Sequence, residues 1–335
     1  TMNYIGSKHK LSDWLLENIK AVCGDDLSQL VFCDLFAGTG AVGRTFKPYV
    51  KSVIANDLEF YSYVLNRNYI GNNSIFDASA LIEELNEIPL REGFIFHQYS
   101  ETGSENRLYF SAENGQKIDA IRAKIEEWLK QSRIDEDTYF FLLASLLESA
   151  DKVANTASVY GAYLKKLKKS AQKTLELVPA NFEITSGSHS VYNTNSNTLI
   201  NDIEGDILYL DPPYNARQYG ANYHVLNTIA KKDTFVPKGK TGLRAYTKSA
   251  FCSKLEVEKS FEELIAKARF KTLFLSYNNE GLMPAATVKE IMQRYGKYDL
   301  VTKEYQRFKA DKTENRNHKA NATTEYLHIL EKHQK

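Results

Sequence analysis

The sequence predicts an α/β fold, in which a mixed, mostly parallel sheet carries helices on both faces and a largely helical region is inserted. Three observations support this prediction. Strand-like and helix-like segments alternate over residues 30–69, and the first strand ends in a glycine turn. The alternation stops over 76–199 and resumes with a strongly apolar strand at 206–211. Alternation of this kind is typical of a parallel sheet covered by helices.

The N-terminal alternation has four predicted elements. Residues 30–34 are rich in strand formers and lead into the turn 37–40, after which helix-compatible residues continue to Phe46. Residues 52–57 predict a second strand, and 58–69 predict a second helix. Two strand–helix units in succession indicate the start of a parallel sheet.

The region 76–199 lacks this alternation and predicts an insertion. Its clearest elements are two long helices at 115–130 and 135–153, and a polar run over 185–198 follows them. The later part of the chain predicts further elements of the sheet domain: strands at 206–211 and 272–277, helices at 221–230, 255–269 and 285–295, and a closing antiparallel pair at 298–307 and 325–331.

The composition is that of an ordinary globular protein and excludes several classes. With 43% hydrophobic and 25% charged residues, the 335-residue chain is neither disordered nor fibrous. Its longest apolar run, 139–147, is far shorter than the roughly 18 residues of a membrane-spanning helix. Three scattered cysteines and seven histidines without metal-ligand spacing argue against disulfides and metal sites. We therefore expect a cytoplasmic protein without a metal.

The net charge is only +1, but positive charge is concentrated locally. Basic residues cluster over 160–175, 231–256 and 303–319. These clusters permit a polyanionic partner on one face. Solvated helix faces and loops explain any single cluster at least as well.

The first motif that carries chemistry is the segment 34–40, Asp-Leu-Phe-Ala-Gly-Thr-Gly. Glycines after a first strand let the backbone approach a ligand. Asp57, at the end of the next predicted strand, suits a carboxylate that accepts hydrogen bonds from ribose hydroxyls. Three readings stay open: a nucleoside–methionine cofactor, a dinucleotide bound through the G-x-G-x-x-G of Gly38, Gly40 and Gly43, or a tight turn.

The second motif is Asp211-Pro212-Pro213-Tyr214, at the end of the apolar strand. Proline restricts the residue before it to extended geometry and removes amide donors, so the corner is stiff and rich in acceptors. It lies where open parallel sheets bind ligands, although it could also be a plain strand-ending turn.

Methylation of an exocyclic aromatic amine needs such a corner, because the nitrogen lone pair is delocalised into the ring. Asp211 and a carbonyl of the proline segment can accept both amine protons and localise the lone pair. Tyr214 offers a face on which a base can stack. A base within a duplex must first be rotated out.

Together these motifs resemble the Dam-like family of adenine-N(6)-specific DNA methyltransferases. The segment 3–8, Asn-Tyr-Ile-Gly-Ser-Lys, is similar to the N-terminal cofactor motif of that family, with Tyr4 where some members carry tryptophan. Asp202 matches a polar position near the cofactor adenine more loosely. The resemblance implies a Rossmann-like methyltransferase core, S-adenosylmethionine as cofactor, and cofactor contacts from Tyr4, Gly6, Lys8, Asp34, Phe36, Gly38, Gly40, Asp57, Asp202 and Asp211.

The order of the motifs also resembles the order in that family, and it implies which parts of the chain form the catalytic domain and the target-recognition region. Residues 2–75 and 200–335 are expected to form the catalytic domain, and 76–199 the target-recognition region. Double-stranded DNA and a separate restriction endonuclease are the implied partners. The catalytic residues are expected to be Asp211, Pro212, Pro213 and Tyr214, and the DNA contacts Arg217, Tyr219, Lys238, Lys240, Arg244, Lys248, Lys165 and Lys169.

Other interpretations of the sequence remain at this stage. A methyltransferase that acts on RNA or on a protein amide shares the corner motif, although such enzymes more often have Asn at its first position. An NAD-dependent oxidoreductase would use the G-x-G-x-x-G spacing but not the corner. A DNA-binding module that has lost catalysis is the third. The basic loop around Lys238 to Lys248 is expected to be mobile, either ordering on phosphates or remaining solvated.

Overall fold

The computed structural model describes residues 6–306 and 322–333, and of 6–10, 304–306 and 322 only the backbone. One sheet of seven strands organises this part of the chain, in the order β3-β2-β1-β4-β5-β7-β6. Strands β1 to β5 are mutually parallel, and β7 runs antiparallel to both β5 and β6. The mixed, mostly parallel sheet is confirmed. The strands are β1 Val31–Asp34, β2 Ser52–Asn56, β3 Ser190–Tyr192, β4 Glu204–Leu210, β5 Arg269–Asn278, β6 Gly296–Gln306 and β7 Ala322–Lys332.

Helices cover both faces of this sheet, as parallel strand connections require. Between β2 and β3 the chain forms the helices of the insertion, and within 6–306 and 322–333 none of the helices is both long and apolar enough to cross a membrane. The helices are α1 Gly6–Cys23, α2 Ala41–Phe46, α3 Phe60–Asn66, α4 Ser79–Asn86, α5 Phe94–Tyr99, α6 Ala112–Lys130, α7 Glu136–Lys152, α8 Lys169–Gln172, α9 Ser196–Leu199, α10 Tyr219–Asn222, α11 His224–Lys231, α12 Val257–Lys267 and α13 Ala285–Gln293.

Two sequence expectations differ from the structure. The predicted helix over 58–69 is a short α3 followed by a π-helical turn, Arg67–Gly71, which ends at a glycine. The polar run 185–198, expected to belong to the insertion, contains β3, which pairs with β2 through residues such as Val191 opposite Ala55. Sheet residues therefore resume at Ser190, before the expected boundary at 200. The strand is only three residues long, so it has no hydrophobic periodicity to reveal it.

The insertion shares a hydrophobic core with the sheet domain. Helix α7 is the centre of this core, and its segment 139–147 is buried throughout. Asp135 caps its first turn by accepting a hydrogen bond from the Thr138 N–H at 2.8 Å. Residues of α3 and α11, which flank the sheet, belong to the same cluster of buried side chains. The insertion is thus packed onto the sheet domain rather than tethered to it.

Buried histidines make the stability of this fold depend on pH. His224 on α11 and His328 on β7 are fully buried. Burial lowers the pKa of each imidazole to about 4, because the charged form loses its hydration. The unfolded chain protonates these side chains near their ordinary pKa of about 6.5. Between these two pKa values the unfolded state binds more protons, so stability falls as pH falls.

We expect the free energy of unfolding to drop by about 1–2 kcal/mol per histidine between pH 7.5 and pH 5. Urea titrations across this range measure the drop, and His328→Gln removes one contribution. That variant should show a shallower pH dependence than the parent. Equal slopes for the two proteins would contradict the assignment.

Candidate active site

The candidate site lies where β1 and β4, neighbours in the sheet, both end. Asp34 at the end of β1 is paired with Tyr209 near the end of β4. The Leu35 N–H then donates to the Tyr209 carbonyl at 3.2 Å, so the chain leaves both strands at the same edge. The order of strands reverses here, because β1 connects to β2 on one side and lies beside β4 on the other. Open α/β sheets form their ligand crevice at such a point.

The glycine loop after β1 is held open by hydrogen bonds to its backbone. Gly38 and Gly40 both have left-handed φ angles, 57° and 88°. The Gly38 N–H donates to Asp57 Oδ2 at 2.8 Å, and Asn66 Nδ2 donates to the Gly38 carbonyl at 2.9 Å. A β-carbon on Gly40 would lie 2.9 Å from Asn66 Oδ1. The local conformation therefore requires glycine at position 40, and at Gly38 the φ angle lies in the region that favours glycine.

A cleft opens beside this loop, and we call it the glycine-loop cleft. It encloses about 1090 Å³, including solvent at its mouth. Its described walls combine aromatic rings, amides and hydroxyls with four acids, and they contain no Lys, Arg or His. The lining residues are Leu35, Phe36, Gly38, Asn56, Asp57, Leu58, Glu59, Tyr61, Thr194, Asn195, Ser196, Asn197, Asp211, Pro213, Gln218, Tyr219, Tyr223, Ser249, Ala250, Phe251, Ser260 and Glu263.

A second cavity lies on the other side of the corner motif, and we call it the tetrad pocket. It encloses about 1130 Å³, also including open solvent. Tyrosine rings and small polar groups dominate its walls, a combination that suits a planar ligand with polar edges. The lining residues are Leu11, Leu15, Val42, Val159, Tyr209, Asp211, Tyr214, Asn215, Arg217, Tyr219, Asn222, Tyr223, Ser276, Tyr277, Asn278 and Glu325.

The corner motif separates these two cavities. Asp211 borders both of them, Pro213 borders only the glycine-loop cleft, and Tyr214 borders only the tetrad pocket. Tyr219 and Tyr223 complete the shared wall. A ligand in one cavity and a ligand in the other would therefore meet beside the Asp211 carboxylate.

Neighbouring elements hold the corner in place. The Tyr214 carbonyl accepts a hydrogen bond from the Leu282 N–H at 2.8 Å and a longer one from the Tyr277 hydroxyl at 3.5 Å. On the pocket wall, the Tyr209 hydroxyl donates to Ser276 Oγ at 2.8 Å. Burial and, secondarily, the nearby Asp211 charge raise the pKa of Tyr209 well above its ordinary value. This phenol stays protonated and acts as a hydrogen-bond donor.

The structure does not bring every predicted cofactor residue to the cleft. Asp202 is exposed and precedes β4, so it lies at the edge of the sheet opposite Asp211, and its predicted contact with the adenine is wrong. Asp34 is buried and Gly40 is the N-cap residue of α2, and neither lines the glycine-loop cleft or the tetrad pocket. Tyr4 lies outside the described residues. Gly6 and Lys8 lie in the first turns of α1, where only the backbone is described.

Arg244 is a correction among the predicted DNA contacts. Its guanidinium is buried, makes two hydrogen bonds to the Asp233 carboxylate at 2.7 and 2.6 Å, and stacks on Phe235 at 4.8 Å from the ring centre. A guanidinium engaged in this way is not available to a phosphate. Asp233 lies eleven positions before Arg244, across a loop, so no periodic pattern in the sequence predicts their pairing.

The basic loop contains a small hairpin that is hydrogen-bonded to the insertion. Lys238 and Leu243 exchange backbone hydrogen bonds of 3.0 and 2.8 Å, with Gly239 and Gly242 in left-handed conformations between them. The Tyr99 hydroxyl of the insertion donates to the Gly242 carbonyl at 2.6 Å. We call residues 238–243 the basic hairpin.

The remaining predicted basic contacts are solvent-exposed. They make no ion pair with any residue that the structure describes. Lys169 is the first residue of α8, and Lys165 precedes this helix in a loop. Arg217 lies at the rim of the tetrad pocket and Tyr219 in the wall that the two cavities share. The exposed basic side chains are Lys165, Lys169, Arg217, Lys238, Lys240 and Lys248.

Several lining residues escaped the sequence analysis. Glu59 follows Asp57 by two positions, and its place after a strand end was the available signal. Asn195 and Asn197 lie in the polar run assigned to the insertion. Phe251 contacts Phe36 edge to face at 5.1 Å, a pairing between distant segments that leaves no local pattern.

Comparison with known proteins gives a consistent picture. A family model described as D12 class N6 adenine-specific DNA methyltransferase matches residues 4–291. The chain is 66% identical to the type II methyltransferase M.NlaIII of Neisseria lactamica, over 99% of both chains. It is 40% identical to M.CviAII of Paramecium bursaria Chlorella virus 1, over 92% of this chain and 93% of that one. It is 38% identical to M.FokI of Planomicrobium okeanokoites, over 99% of this chain and 53% of that longer one.

The glycine loop yields a stability prediction with a matched control. Gly40→Ala imposes both a left-handed φ and a clash with Asn66, which cannot move without releasing the Gly38 carbonyl. Gly24→Ala imposes a left-handed φ of 101° with no atom within 4 Å. We expect losses of at least about 2 kcal/mol and about 1 kcal/mol in the free energy of unfolding, measured by urea denaturation. Equal losses would show that the contact between the loop and Asn66 is unimportant.

Proposed function

Because the chain belongs to the D12 class of N6 adenine-specific DNA methyltransferases, we propose that it methylates a flipped-out adenine using S-adenosylmethionine. The methyl group is transferred to the exocyclic N6 amine within a short duplex sequence. The observation that carries this proposal is the position of Asp211, which among the described residues is the one acid that borders both the glycine-loop cleft and the tetrad pocket.

The glycine-loop cleft fits S-adenosylmethionine better than a dinucleotide. Its described walls contain Asp57, Glu59, Asp211 and Glu263 without a basic side chain, so they attract amino and sulfonium groups and repel a pyrophosphate. S-adenosylmethionine supplies an activated methyl group on a positively charged sulfur. Phe36, Gly38 and Asp57 would hold it, as their family resemblance implies. The same charges disfavour the NAD-dependent alternative.

The residues of the corner motif activate the amine. The Asp211 carboxylate and a carbonyl of the proline segment accept hydrogen bonds from the two N6 protons, which draws the nitrogen lone pair out of the ring. Tyr214 stacks against the base from the tetrad-pocket side. Tyr209, whose raised pKa keeps its hydroxyl protonated, adds a polar group to the pocket wall without a competing negative charge.

The tetrad pocket receives the base only after it leaves the duplex. A base that is stacked and paired cannot reach the end of β4, so the pocket implies extrusion of the adenine from double-stranded DNA. The insertion, 76–199, is proposed to read the target. Arg244 holds the loop that carries some of the exposed basic side chains. The residues proposed to contact phosphates are Arg217, Lys238, Lys240, Lys248, Lys165 and Lys169.

The relatives named as type II methyltransferases support a role in a restriction–modification system. We propose that the chain acts in the cytoplasm, where it protects DNA from a separate restriction endonuclease of the same specificity. Methyl incorporation into duplex DNA, RNA and protein distinguishes this proposal from the RNA and protein-amide alternatives. Mapping methylated adenines in cells that express the chain identifies the sequence.

Replacing the shared acid should separate chemistry from binding. We expect Asp211→Ala to reduce the rate of methyl transfer at least about 100-fold, because the N6 lone pair is no longer localised. The affinity for S-adenosylmethionine, measured by calorimetry, should change little. Asp202→Asn, at the opposite edge of the sheet, is the matched control and should retain full activity. An Asp211→Ala variant with normal turnover would refute the catalytic assignment.

The basic hairpin should reveal itself in the salt dependence of DNA binding. Each phosphate contact contributes about 0.9 to the slope of log K against log salt concentration. We expect Lys238→Ala with Lys240→Ala to lower this slope by about 1.8 in fluorescence anisotropy titrations. The control pair Lys267→Ala and Lys271→Ala, toward the opposite edge of the sheet, should leave it unchanged. An unaltered slope in the hairpin variant would exclude these phosphate contacts.

A further inference from the structure

Glu59 is an acidic residue on the wall of the glycine-loop cleft. Helix α3, which follows it, does not need a glutamate at this position. It is the N-cap residue of α3, yet its side chain makes no capping hydrogen bond. Glutamate is also a poor choice for that position, where Ser, Thr, Asp and Asn are preferred. The needs of α3 therefore do not explain this residue.

A buried amide holds the Glu59 carboxylate from behind. Asn227 on α11 donates from Nδ2 to Glu59 Oε2 at 2.8 Å, and its Oδ1 accepts a hydrogen bond from the Tyr61 N–H at 2.9 Å. Both amide groups are used, so the Asn227 side chain is fixed in one orientation. It orients one oxygen of Glu59 and leaves the side chain on the cleft wall.

The surroundings of Glu59 disfavour the charged form of its carboxyl. Burial raises the pKa of its carboxyl, and the hydrogen bond from Asn227 and the charges of Lys231 and Arg244 only partly oppose this effect. Arg244 is already engaged by Asp233. A partly desolvated acid on a cleft wall is typical of a group that meets a ligand.

Asp57, the acid assigned to the ribose, is already engaged by the backbone. Its Oδ2 accepts from the Gly38 N–H at 2.8 Å and its Oδ1 from the Glu59 N–H at 2.9 Å. Ribose presents two hydroxyl donors. Each oxygen of Asp57 therefore already accepts one hydrogen bond from the backbone before a ligand binds. A second carboxylate two residues away would provide further acceptors for the ribose hydroxyls.

We propose that Glu59 is a second acidic contact of the cofactor ribose, beside Asp57, and that Asn227 is its positioning residue. This inference rests on the proposed function, since it concerns the same cleft. The competing explanation is structural: Glu59 would merely fasten α11 to the start of α3 through Asn227.

The variant Glu59→Gln distinguishes these explanations. Its amide oxygen still accepts the hydrogen bond from Asn227, so the fastening survives, whereas its NH₂ group cannot accept a ribose hydroxyl. We expect the thermal midpoint to be unchanged and the affinity for S-adenosylmethionine to fall about tenfold by calorimetry. Glu258→Gln, which removes an exposed carboxylate from α12, is the matched control and should bind normally.

A second ligand locates the contact on the nucleoside. 5′-Methylthioadenosine keeps the ribose and lacks both the sulfonium and the amino acid, so Glu59→Gln should weaken it by the same factor. Asn227→Ala should weaken both ligands about threefold, because the carboxylate remains but loses its orientation. It also keeps the test open if Glu59→Gln does not fold.

Three results would overturn the inference. Normal affinity in Glu59→Gln would leave only the structural role, and so would an Asn227→Ala variant of reduced stability with unchanged affinity. Weakening of S-adenosylmethionine alone would move the contact to the charged end of the cofactor. If the parent protein bound neither ligand, the proposed cofactor itself would be wrong, which is a different outcome from these.

Discussion

The pairing of β1 with β4 is the constraint on which the rest of the structure depends. Neighbouring parallel strands end at the same edge of a sheet. The register that pairs Asp34 with Tyr209 therefore brings together the loops that follow β1 and β4. Asp34 and Tyr209 are 175 positions apart in the sequence. The glycine loop and the corner motif therefore become one site only through this backbone ladder. A one-residue slip would turn each side chain of β4 to the other face of the sheet.

The insertion and the sheet domain share walls as well as a core. Val159 of the insertion lines the tetrad pocket, and the next residue, Tyr160, is fixed to the sheet domain by its N–H bond to the Asn222 carbonyl at 2.7 Å. Tyr109 and the buried His224 both contact the Tyr160 carbonyl, at 2.6 and 3.0 Å. A region proposed to read DNA is thus joined through rigid contacts to the pocket proposed to receive the extruded base.

Opposite charges divide the functional surfaces. The charged side chains on the described walls of the glycine-loop cleft are all acidic, whereas the basic hairpin presents lysines to solvent. The ion pair between the buried Arg244 and the exposed Asp233 shapes the loop between these two residues without adding a basic side chain to either surface. In the proposed function, a cationic cofactor and polyanionic DNA are thereby drawn to different parts of one molecule.

The sequence by itself determined the elements whose signals are local. The glycine turn, the acid after β2 and the rigid corner 211–214 each depend on the conformational limits of a few adjacent residues, and the long helices of the insertion on their own hydrophobic faces. Tertiary structure decided what depends on partners far along the chain. The short β3 exists because β2 offers it an edge, Arg244 is buried because Asp233 neutralises it, and Glu59 reaches the cleft wall because Asn227 of α11 holds it. Such pairings are set by how the sheet and helices pack, and no short stretch of sequence encodes them.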